Sequence, residues 1–222
     1  MRNLVTTYRC LPLLITVIAM VLTAPLMRER WEIGLAFGIL WSVLIGISGY
    51  LIYSTPGWLK IYTPLVAVAV VIHAVNSSLD RPVWSSVLLT VFILAIEGLA
   101  LFAVMRHALF AKVRHELDRV LGAISGYFLI ALMWSRVFEL VILADPGAIE
   151  DRGVPIVFGE DSTLLYYSLV TLTTIGYGEV IPVDDYARLL SGIEGTIGTL
   201  YIAVVIASLI GRLIAGAARK SA

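Results

Sequence analysis

The sequence predicts an all-α transmembrane fold: six membrane-spanning helices plus a short helix that enters the bilayer and returns. Three observations carry this. First, 59% of the 222 residues are hydrophobic and the mean hydropathy is +0.94, whereas soluble domains are about 45–50% apolar. Second, six segments approach the roughly 20 apolar residues a spanning helix needs. Third, one apolar stretch, 162–173, is too short to span and runs into a glycine-containing segment.

The six expected spans are Leu11–Met27, Ile33–Tyr53, Trp58–Val75, Trp84–Met105, Val120–Ala144 and Tyr186–Ile214. Trp31, Trp58 and Trp84 fall at span ends, where interfacial aromatic belts form. Val21-Leu22-Thr23-Ala24-Pro25 is a poor cleavage site, so the first apolar run is expected to be retained as a span. Four domains follow: a four-helix N-terminal membrane domain (1–105), an amphipathic linker on the inner surface (106–119), a pore domain (120–214) and a short tail (215–222). The segment 145–161, rich in Pro and Gly, reads as an exposed loop.

Net charge is zero, so nucleic acid is not an expected partner. The single cysteine, Cys10, excludes an intrachain disulfide. His73, His107 and His115 are read as interfacial residues that form no metal-ligand cluster with it. Orientation follows the basic residues of the loops. With both termini inside, the inner segments hold ten (Arg2, Arg9, Lys60, Arg106, Lys112, Arg114, Arg119, Arg212, Arg219, Lys220), the outer ones five (Arg28, Arg30, Arg81, Arg152, Arg188). Both termini are therefore expected to be cytoplasmic. Segment 145–161 and Glu179-Asp184-Asp185 then crowd acidic groups at the outer mouth, where they concentrate cations.

The chemistry lies in Thr173-Thr174-Ile175-Gly176-Tyr177-Gly178. An ion crossing a narrow pore sheds water, and stacked backbone carbonyls can replace it if successive residues aim C=O at one axis. Glycine reaches the conformations this requires. Residues 162–198 resemble the pore module of potassium channels, whose TVGYG loops use such carbonyls. The resemblance implies that Thr174, Ile175, Gly176 and Tyr177 coordinate K+, that Thr173, Gly178, Glu179, Tyr166 and Tyr167 support the filter, and that Gly198 is a gating hinge. It also implies a homotetramer, since one filter segment per chain cannot encircle an ion. The sequence departs from the family where Ile175 replaces valine, Glu179 replaces the commoner aspartate, and Val170 stands where some bacterial members have glutamate.

The expectation is thus a potassium-selective channel subunit in a lipid bilayer, a prokaryotic plasma membrane by its compactness, with K+ as permeant ion, no cofactor and no enzymatic chemistry. A poorly selective cation channel and an ion-coupled potassium transporter stay open as alternatives. Trp84–Met105 holds no Arg or Lys, so a standard voltage sensor is not expected, because gating charges must move through the field. The eight residues after the sixth span leave no expected ligand domain; any ligand control would come through the membrane part or a separate regulatory protein. Three charges fall inside spans: Glu97, Arg136 and Glu194. From the helical rise, Arg136 stands roughly 24 Å above the inner end of its span, near enough in depth to pair with Glu194, or with Glu139 three residues on.

Overall fold

The computed structural model describes residues 8–27, 40, 43–47, 56–78, 82–110, 116–158, 161–212 and 214. Among them, α1 (Leu11–Thr23) continues as a 3₁₀ turn over Ala24–Met27. Pro12 sits in its first turn, where the missing N–H has no helical partner anyway. The helices α2 (Pro56–Ser78), α3 (Val83–Phe110) and α4 (Glu116–Ala144) follow. Most of the second expected span lies outside the described residues, of which Leu40 and residues 43–47 are helical. After α4 come strands β1 (Ile149–Asp151) and β2 (Val154–Pro155), helix α5 (Asp161–Leu172), strand β3 (Val180–Pro182) and helix α6 (Asp185–Leu200). A π-helical segment, Tyr201–Ile206, continues α6 toward Arg212.

Among the described residues, three helices are long and apolar enough to cross a membrane: Val83–Phe110, Glu116–Ala144 and Asp185–Arg212. Leu11–Leu26, Lys60–Val75 and Ser162–Leu172 are shorter apolar helices. The chain is a mostly helical membrane protein. Of the stretch expected as an amphipathic linker, 106–119, residues 106–110 end α3 and residues 116–119 begin α4; the residues between them lie outside the described ones.

Helix α4 is the central post. Leu129 and Leu132 pack with Leu13 and Val17 of α1 and with Ile96, Ala100 and Val104 of α3. Farther along α4, Phe138 and Ile142 pack with Ile149, Ile156, Leu164, Tyr167, Val180 and Ala187. That second core gathers the hairpin, α5, β3 and α6 at one end of α4.

The segment expected as an exposed loop is folded. β1 pairs antiparallel with β2 and with β3, giving the order β2-β1-β3. Arg152 (φ +52°) and Gly153 (φ +80°) turn the hairpin, both left-handed as a two-residue type I′ turn demands. Ala148 and Ile149 are fully buried and pack in the second core, so this segment is part of the core.

Candidate ion-conduction site

Helix α5 ends at Leu172, and the chain reverses along its own last turn. The Thr173 N–H donates to Leu169 O (3.1 Å), Thr174 N–H to Thr171 O (2.9 Å) and Ile175 N–H to Val170 O (2.9 Å). Gly176 N–H also points to Val170 O at 3.4 Å. The amides of 173–176 thus face back toward α5.

Backbone φ is positive at Thr174 (+58°), Gly176 (+57°) and Gly178 (+93°), but not at Ile175 or Tyr177. Glycine accepts this freely. Thr174 does not: a β-branched residue at positive φ is an outlier, and such strain costs about 1–3 kcal/mol and collects at functional sites. Residues 173–178 are all exposed in the single chain, Tyr177 at 70%.

The support residues divide. The Tyr166 hydroxyl donates to the Glu179 carboxylate, and that bond holds the Glu179 carboxyl below its ordinary range. Tyr167 instead meets α6, with its hydroxyl 2.5 Å from Ser191 Oγ. Its ring stands edge-on to Phe138, centroids 4.9 Å apart. Thr173 Oγ1 donates to Leu169 O at 2.6 Å, closing the last turn of α5. Glu179 O accepts from Arg152 N–H at 2.8 Å, which ties the segment after the filter to the hairpin. Of the acidic pair beyond it, Asp184 is committed to capping α6, accepting from the N–H groups of Tyr186 (2.7 Å) and Ala187 (3.1 Å).

The intramembrane charges do not gather at one place. Arg136 Nη1 donates to Glu139 Oε2 at 2.8 Å, one turn along the same helix. Fully buried Glu97 faces this pair across from α3. Glu194 takes a different partner: its Oε1 lies 2.5 Å from Ser168 Oγ, which is also 2.7 Å from Ala131 O. One buried hydroxyl therefore joins α4, α5 and α6 directly behind the filter. The Tyr127 hydroxyl adds a second tie, donating to Leu172 O at 3.0 Å.

Gly198 is buried within regular α6. A Cβ there would stand 1.9 Å from Leu172 O, so this glycine lets the inner helix touch the end of the pore helix. The departure from α-geometry begins at Tyr201, whose hydroxyl donates to Ala123 O at 2.7 Å. Insertions of this kind recur at functional positions. Sequence reasoning missed Ser168, Tyr127 and Tyr201; a lone serine in an apolar helix was the one visible signal.

Residues 159–215 match a family model described as "Ion channel". No curated protein and no solved structure matches the chain. The matched residues include Thr173–Gly178 with Tyr166, Tyr167 and Glu179, so this part of the chain is similar to an ion-channel domain.

Proposed function

We propose that the chain is one subunit of a homotetrameric, potassium-selective channel conducting K+ passively across a membrane. The observation that carries the reading is the alternation of left-handed backbone at Thr174, Gly176 and Gly178, with amides turned back to α5. In this reading the carbonyls of Thr174, Ile175, Gly176 and Tyr177 line the side opposite those amides. Four such rows around an axis supply oxygens in place of the hydration shell of K+, with Thr174 Oγ1 at the inner end. Glu179 and Asp185 at the outer end raise the local cation concentration.

In this reading both termini are cytoplasmic, the host membrane is a prokaryotic plasma membrane, and no cofactor takes part. The N-terminal helices lack a charged voltage sensor, so gating depends weakly on voltage. The test is reconstitution of the full chain, with reversal potentials in mixed K+ and Na+. A reversal potential tracking K+ alone, lost on replacing Gly178 with alanine, supports the proposal. A potential near the mean of both ions means a poorly selective cation channel. Uphill uptake driven by an ion gradient means a coupled transporter.

A further inference from the structure

We propose that Cys10, His107 and Asp118 form a site for one divalent transition-metal ion, zinc above all, where α1, α3 and α4 meet. Cys10 lies far from the other two in sequence, and the sequence predicts no metal cluster between it and the histidines. Folding brings one ligand atom from each within 4.8 Å of the others. Cys10 and Asp118 are buried at 0% and 3% exposure, and the His107 side chain is 10% exposed. A thiolate, an imidazole and a carboxylate are the donors zinc favours, and three protein ligands leave a fourth tetrahedral position for water.

The geometry needs little adjustment. His107 Nε2 and Asp118 Oδ2 are 2.9 Å apart. Two zinc bonds of about 2.0–2.1 Å at a tetrahedral angle separate their ligand atoms by about 3.3 Å, so a small side-chain rotation admits the ion. The carboxylate is already oriented: Cys10 N–H donates to Asp118 Oδ1 at 2.9 Å, the kind of outer support that fixes metal ligands. Room for the sulfur is built in as well. A Cβ at Gly122, one turn beyond Asp118, would stand 3.0 Å from Cys10 Sγ. On binding, the Cys10 thiol releases its proton to solvent as the metal–sulfur bond forms. The ion clamps the start of α1 and the end of α3 to the start of α4, the helix that packs against α5.

The test is cobalt(II) titration of the metal-stripped full chain in detergent, followed by zinc. Cys10 is the sole cysteine, so a cobalt–thiolate charge-transfer band can come from no other residue. The expected result is that band at one cobalt per chain, with tetrahedral visible bands, all erased by zinc. His107→Gln and Gly122→Ala should each weaken affinity tenfold or more, and Cys10→Ser should remove the charge-transfer band while helical circular dichroism persists. A folded wild-type chain without the band overturns the proposal, since Asp118 then only caps the Cys10 amide and pairs with His107. A band unchanged in His107→Gln overturns it too.

Discussion

Gly192, Gly195 and Gly198 lie three residues apart on α6 and offer a graded test of how closely the inner helix packs on the pore helix. Built Cβ atoms meet nothing within 4 Å at Gly192, Thr171 O at 3.5 Å at Gly195, and Leu172 O at 1.9 Å at Gly198. Carbon and oxygen need about 3.0 Å or more, so Gly198→Ala forces about 1 Å of movement between two backbones. Overpacking costs about 1–3 kcal/mol even where side chains can yield, and here a carbonyl must. Alanine returns up to about 1 kcal/mol of helix propensity at each site. The expected order is Gly192→Ala neutral to slightly stabilising, Gly195→Ala near neutral, and Gly198→Ala destabilised by about 2 kcal/mol or more. Thermal melting in detergent measures the first effect, and K+ flux from proteoliposomes the second. Flux should fall only in Gly198→Ala, because Leu172 leads directly into Thr173 and Thr174. A Gly198→Ala protein that melts and conducts like the wild type would refute the close contact, and with it this account of why glycine stands there.

Further perturbations probe the other supports. Ser168→Ala removes the hydroxyl bonded to both Ala131 O and Glu194 Oε1; having one proton to give to Ala131 O, it accepts the other bond from the Glu194 carboxyl, so the loss should be about 1–3 kcal/mol in melting, and smaller in Ser168→Ala/Glu194→Leu. Arg136→Met leaves Glu139 without its guanidinium; breaking a buried pair on one side costs about 3–5 kcal/mol, and Arg136→Met/Glu139→Gln should recover much of it. Glu179 titrates below its ordinary value because Tyr166 donates to it. Its support is thus present above the ordinary carboxylate value and lost as external pH falls through the depressed one. In a flux assay against external pH, Tyr166→Phe should move the acidic limb upward.

Much of the channel module was legible because its signals are local. The pore helix expected over 162–173 forms over Asp161–Leu172, since its length is bounded by apolar residues and by the glycines after it. The positions of Gly176 and Gly178 announced an unusual backbone; Thr174 did not, because nothing in a threonine signals positive φ. The hairpin was hidden by strands of two and three residues and by an Arg-Gly turn, weaker than Asn-Gly. The partner of Arg136 was ambiguous because helical rise gives depth in the membrane but not azimuth. Glu139, at i+3, shares its face, whereas Glu194 is turned to α5. The Cys10–His107–Asp118 convergence spans residues 10 to 118, a separation no local pattern encodes. Gly198 makes the close contact with Leu172 O, and the irregular backbone starts three residues later.

These supports share a direction, and that direction explains how a strained segment keeps its shape. The amides of 173–176 bond backward to α5. Behind α5, Ser168 and Tyr127 tie it to α4 and α6. Beyond Gly178, Glu179 is held by Tyr166 and by Arg152 N–H, and β3 is laced to β1. Left-handed Thr174 costs about 1–3 kcal/mol, and each of these bonds contributes about 0.5–1.5 kcal/mol, so several together suffice to fix it. All of them act from behind or from the ends of the filter. Residues 173–178 stay exposed in the single chain. In the proposed tetramer that exposed side faces the axis between copies, where a permeating cation supplies the partner that the braced side does not.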